Sequence, residues 1–128
     1  MADRYLTPNG LERALTQGRT VEQWLGARTE KGIRVVKWLS IEHDEDDREG
    51  TTTIVRVSEV VDDGGPDFID IYEFTSYDAN AEFGVVTKFD TPQEALQYAL
   101  TNVGADELKF VPRGVIQDEY VDYLKSRR

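Results

Sequence analysis

The sequence contains no cysteine, and it has a single histidine, His43, among 128 residues. The absence of cysteine excludes disulfides, thiolate nucleophiles and cysteine-ligated zinc, and a single histidine excludes any site that needs two imidazoles. No apolar run approaches the roughly 20 residues of a membrane-spanning helix. The first residues also lack the basic and then apolar layout of a secretory signal. We therefore expect a cytoplasmic protein.

Charge is distributed unevenly along the chain. The formal net charge is -10, and 14 of the 25 acidic residues lie in residues 42–82, which hold only two basic residues. Nucleic acid and anionic lipid are bound by clusters of lysine and arginine, so we expect neither as a partner. With 39% hydrophobic residues, the length predicts one domain over residues 1–128.

Three segments carry helix signals. Thr91, Pro92 and Glu94 form an N-terminal cap, and apolar residues then recur at helical spacing, which predicts a helix over about 92–103. Thr7 and Pro8 predict a short helix near the start of the chain, and apolar spacing predicts a closing helix from about Gln117.

Strand signals recur between these helices. Residues 33–41, 51–61, 68–75 and 83–89 are rich in β-branched and aromatic residues, and 108–111 resembles a short edge strand. Residues 20–26 fit a capping box as well as a strand, with the strand favoured. The order predicts an α+β fold: an antiparallel four- to five-stranded meander sheet with the 92–103 helix and terminal helices packed on it.

Motifs for chemistry are sparse. Ser40 and His43 supply two ingredients of a nucleophilic site, but residues of one strand seldom converge in that way. The acidic stretch 42–49 departs from the EF-hand pattern, because a loop that starts at Asp44 has Arg48 at its fifth position and Glu49 at its sixth. No glycine motif for phosphate or dinucleotide binding occurs. The sequence therefore predicts no catalytic residue, no metal site and no cofactor.

Residues 68–75 are the most informative segment. If they form a strand, Phe68, Asp70, Tyr72 and Phe74 share one face, and isoleucines occupy the other. The 33–41 strand is similar, because Val36 and Trp38 lie opposite its main apolar face. Both faces of the sheet would then need cover.

Three interpretations of this aromatic face remain open. The terminal helices could cover it, it could be an interface with another copy or another protein, or it could line a ligand cleft containing a partly buried Asp70. We expect an accessory or protein-interaction domain without catalytic activity, self-associating through this face. The alternative is a small carboxylate-using enzyme or ligand-binding protein with a cleft near Asp70 and Tyr72. The candidate residues for either role are Trp38, Phe68, Asp70, Tyr72 and Phe74.

Overall fold

A computed structural model describes residues 4–44, 52–81 and 84–126 of the chain. It contains the helices α1 (Pro8–Thr16), α2 (Pro92–Tyr98) and α3 (Ile116–Ser126). The strands are β1 (Val21–Glu30), β2 (Ile33–His43), β3 (Thr53–Val61), β4 (Val85–Phe89) and β5 (Val111–Pro112).

The five strands form one antiparallel sheet in the order β4-β3-β2-β1-β5. The first four strands follow each other as a meander, and β5 returns to the free side of β1. Lys31 and Gly32 join β1 to β2 with positive φ angles of 52° and 79°, as a two-residue hairpin turn requires. The α+β fold and the four- to five-stranded sheet are confirmed, and of residues 20–26 those from Val21 onward belong to β1.

The helices begin where the cap residues predict. The Thr7 hydroxyl accepts a hydrogen bond from Gly10 N, and that of Thr91 accepts one from Glu94 N. The 92–103 helix is α-helical as far as Tyr98 and then continues as a π-helical turn over Ala99–Val103. It ends at Gly104, whose φ of 84° is left-handed.

Each face of the sheet has its own apolar cluster. On one face, α1 and α2 pack with Val21, Leu39, Ile41 and Val55. On the other face, α3 and residues 71–74 pack with Val36, Trp38 and Val60. The interpretation that a terminal helix covers the second face is therefore correct for the part of that face near Val36.

The predicted strand over residues 68–75 is wrong. This segment forms a turn closed by backbone hydrogen bonds between Gly65 and Phe68, followed by a single 3-10 turn over Ile71–Glu73. The Asp70 side chain caps that turn by accepting from Tyr72 N at 3.2 Å. Because the backbone turns here, alternate residues do not share a face, and Ile71 is fully buried beside Phe74.

The helices of the described residues were compared with the length and hydropathy of a membrane span, and none of them reaches both.

Candidate ligand-binding cleft

A row of polar side chains crosses the second face of the sheet. Antiparallel register places Glu22 of β1 opposite Ser40 of β2, and Ser40 opposite Arg56 of β3. Side chains directly opposite each other on paired strands point to the same face, so these three lie side by side. The row is flanked by the Trp38 and Ser58 pair on one side and by Glu42, which pairs with Ile54, on the other.

These residues line a cleft of about 460 Å³. That volume lies within the range of known small-molecule sites, roughly 300–1,000 Å³. The α3 helix and residues 71–74 cover the apolar part of this face, and the cleft lies over the polar part. Its walls are formed by the following residues: Thr20, Glu22, Trp38, Ser40, Glu42, His43, Asp44, Ile54, Arg56, Ser58, Tyr72 and Arg113.

Glu22 is the most deeply buried carboxylate of the cleft, with 3% of its surface exposed. Its Oε1 accepts hydrogen bonds from the Tyr72 hydroxyl at 2.6 Å and from Gly114 N at 3.0 Å. Its Oε2 accepts none from any described residue. Burial raises the pKa of Glu22, although the two hydrogen bonds act in the opposite direction. The Glu22 carboxyl group therefore lies in the cleft with only one of its two oxygens hydrogen-bonded to described residues.

Glu42 lies in the opposite electrostatic situation. Arg56 reaches both of its oxygens, with Nη2 at 3.0 Å from Oε1 and Nε at 3.3 Å from Oε2, and Ser40 Oγ donates to Oε2 at 2.6 Å. Burial would raise the pKa of Glu42, but these donors outweigh burial and lower it. Two neighbouring carboxylates thus have pKa values displaced in opposite directions.

The rim of the cleft carries charges of both signs. Lys88 Nζ lies 3.3 Å from Asp44 Oδ2 and neutralises that carboxylate. Arg113, on the turn after β5, is exposed and forms no ion pair with the described residues. It is nonetheless close enough to Glu22 and Glu42 to lower the pKa of both. Of the two guanidinium groups of the cleft, that of Arg56 is therefore paired with Glu42, and that of Arg113 can bind a ligand anion.

Two further donors face no partner in the part of the chain that the structure describes. The Ser58 hydroxyl and the Trp38 indole N–H make no hydrogen bond there, and neither atom is sealed from solvent. Trp38 meets Tyr72 edge to face, with ring centroids 6.3 Å apart and planes at 81°. Aromatic walls with unpaired donors are typical of sites that hold a small ligand.

The sequence-predicted site residues separate into two groups. Trp38 and Tyr72 line the cleft together. The other three residues do not line it. Phe74 is 6% exposed and packs against Tyr120, whereas Phe68 is 41% exposed and contacts Phe74. Asp70 caps the 3-10 turn. The shared aromatic face therefore does not exist, because it depended on the strand that residues 68–75 do not form.

Other residues of the cleft were not predicted. Glu22, Glu42, Arg56 and Arg113 are ordinary charged residues in the sequence, and only the register between strands brings them together. No local signal marks Glu22, because a glutamate directly after Val21 fits the apolar and polar alternation of an ordinary half-buried strand.

The structure also places the residues that the sequence offered for catalysis and metal binding, namely Ser40, His43 and the acidic stretch 42–49. Ser40 donates its hydrogen bond to Glu42, whereas His43 lies at the end of β2 on the cleft wall. Most of the acidic stretch 42–49, together with Glu82, lies outside the described residues. Within those that are described, no group of three or more histidine, aspartate or glutamate side chains could hold a metal ion.

A second hollow, of about 530 Å³, lies near the end of α1 and the start of α2. Much of its wall is the exposed stretch 16–19, and it lacks the buried, half-satisfied carboxylate of the cleft. We therefore place the candidate site in the cleft. Comparison of this chain with protein-family models, with curated proteins and with solved structures found no match.

Proposed function

We propose that this domain binds a small polar ligand in the cleft around Glu22. The observation that carries the proposal is the Oε2 of Glu22, a carboxylate whose surface is only 3% exposed: this oxygen accepts no hydrogen bond from a described residue and remains open to the cleft. Polar groups held inside a fold are completed by protein, water, an ion or a ligand. A donor group on a ligand would complete Glu22.

The surrounding groups support the same function. Ser58 and Trp38 add two unpaired donors, and Arg113 adds an available cation at the rim. Placing Glu22, Ser40 and Arg56 at the centre of a sheet face is unfavourable for folding compared with apolar residues. Departures from the apolar pattern of this kind are expected at functional sites.

Two tryptophans make a direct test possible. Trp38 lines the cleft, whereas Trp24 packs against Tyr120 and Tyr123 beneath α3. We would record ¹⁵N–¹H NMR spectra while adding a library of amino acids, hydroxy acids, sugars and nucleosides. Compounds that bind should shift the indole N–H signal of Trp38 and leave that of Trp24 in place. A library with no effect on Trp38, or shifts confined to residues 16–19, would contradict the proposal.

Self-association is a second candidate, through a different surface from the aromatic face that the sequence predicted. It is supported by β4, an edge strand on which Val85 and Val86 are 62% and 40% exposed. Two copies could pair these strands antiparallel and cover the same residues twice.

Light scattering over a dilution series tests this candidate. A dimer that Val85→Glu dissociates, and that Leu108→Glu leaves intact, would support pairing through β4. Leu108 is a matched control because it is also a strongly exposed apolar residue, but it lies outside the strand. A monomer at every concentration would exclude self-association.

A further inference from the structure

The charges that line the cleft do not cancel locally. Glu42 is paired with Arg56, and Asp44 with Lys88. Two charges remain without an ion pair among the described residues: the buried carboxylate of Glu22 and the exposed guanidinium of Arg113. The cleft therefore has a negative group at its floor and a positive group at its rim.

A ligand that complements both groups must itself carry two charges. Glu22 Oε2 faces the cleft without a donor from the described residues, and an ammonium group is a donor that also compensates a carboxylate charge. Arg113 presents a planar fork of N–H donors that matches a carboxylate. An anion without a donor would leave Glu22 uncompensated, and a cation without a carboxylate would leave Arg113 unused.

The cleft adjoins a second hollow, of about 340 Å³, with a mixed lining. Its apolar wall residues include Val60, Phe74 and Ala81, and its polar ones include Glu59 and Ser76. Trp38, Arg56, Ser58 and Tyr72 border both spaces. A ligand held at Glu22 and Arg113 could therefore extend an apolar group past the two rings.

We propose that the ligand is a zwitterion of the amino-acid type, with its ammonium group on Glu22, its carboxylate on Arg113 and an apolar side chain beside Trp38 and Tyr72. This inference rests on the proposed function of the cleft, and it specifies the chemistry of the ligand.

Three matched probes separate the charges in isothermal titration calorimetry. L-Phenylalanine carries both charges, phenethylamine lacks the carboxylate, and 3-phenylpropanoate lacks the ammonium group. We expect the Kd of L-phenylalanine to be at least about tenfold lower than that of either analogue, which corresponds to about 1.4 kcal/mol per lost ion pair.

Variants assign each charge to a residue. Arg113→Gln should raise the Kd of L-phenylalanine about tenfold and change that of phenethylamine less than about twofold. Arg19→Gln is the matched control, because Arg19 is an exposed arginine near Arg113 that does not line the cleft. Glu22→Gln should weaken L-phenylalanine and phenethylamine alike.

The outcomes distinguish this inference from the function on which it rests. Equal binding of phenethylamine and L-phenylalanine, or an Arg113→Gln variant that binds L-phenylalanine normally, would overturn the zwitterion. If L-phenylalanine fails to bind while other compounds shift the Trp38 signal, the zwitterion is wrong and the ligand-binding function stands. If no compound shifts that signal, both proposals fail.

Discussion

The Tyr72 hydroxyl donates to Glu22 Oε1 over 2.6 Å, a contact between residues 50 positions apart in the sequence. Gly114 N also lies 3.0 Å from both the Glu22 oxygen and the Tyr72 oxygen. The Glu22 carboxylate thus connects both the 3-10 turn and the turn after β5 to β1, the second strand from the edge of the sheet. The wall of the cleft depends on this contact.

Removing the Tyr72 hydroxyl should therefore destabilise the fold. Tyr72→Phe deprives a buried carboxylate of one of two donors, and we expect the free energy of unfolding to fall by about 1–3 kcal/mol in urea denaturation. Tyr98→Phe is the control, because Tyr98, like Tyr72, packs its ring against another aromatic ring, and its hydroxyl has no hydrogen-bond partner among the described residues. Equal stability losses in the two variants would argue against the contact.

Stability should depend on pH through Glu22. Burial raises its pKa in the folded state, so the folded protein holds this proton more tightly than the unfolded chain does. Stability is therefore lost as the pH rises from the unfolded pKa through the folded pKa.

Glu22→Gln replaces the titrating carboxyl group by an amide that does not titrate. The amide oxygen can still accept hydrogen bonds from the Tyr72 hydroxyl and Gly114 N. The stability of this variant relative to the wild type should increase as the pH rises through that window and then stay constant. Urea unfolding at several pH values measures the difference, with the exposed Glu107→Gln as control. A difference independent of pH would contradict a raised pKa at Glu22.

The two adjacent glycines of the turn after β3 should respond differently to alanine. A Cβ on Gly64 would collide with the Phe74 ring, the Tyr120 hydroxyl and the Phe68 carbonyl, whereas a Cβ on Gly65 would meet nothing within 4 Å. We expect Gly64→Ala to lower the free energy of unfolding by about 1–3 kcal/mol. Gly65→Ala should change it by less than about 1 kcal/mol. Similar thermal denaturation curves for both variants would show that the 71–74 segment packs differently.

Phe68 and Phe74 provide a test of the corrected segment. Phe74 is buried against Tyr120, so Phe74→Ala should lower the free energy of unfolding by about 3–5 kcal/mol. Phe68 is 41% exposed, and Phe68→Ala should have less than about half of that effect. Equal effects would instead favour the strand that places both rings on one face.

The sequence predicted the elements whose signals are local. Thr91, Pro92 and Glu94 act within one turn of helix, so the start of α2 follows from neighbouring residues alone. The prediction of a strand over residues 68–75 is wrong because packing with residues distant in sequence overrides the local preference. The aromatic and β-branched side chains favour a strand, but Ile71 is fully buried in a cluster with Val36 and Val60.

Only part of the cleft follows from the sequence. Trp38 and Tyr72 are predicted site residues because large aromatic side chains on a sheet face indicate a core, an interface or a ligand site. Glu22 and Arg56 acquire their roles through the register of β1, β2 and β3, which no local pattern specifies. The expected carboxylate beside Tyr72 does exist, but it is Glu22 from β1 and not Asp70 from the same segment.

The cleft holds two neighbouring carboxyl groups, those of Glu22 and Glu42, in opposite electrostatic environments. NMR titration of their carboxyl carbons measures the pKa of each group separately. We expect a midpoint for Glu22 above the usual glutamate pKa and one for Glu42 below it. Two unshifted midpoints, or the reverse order, would refute this arrangement.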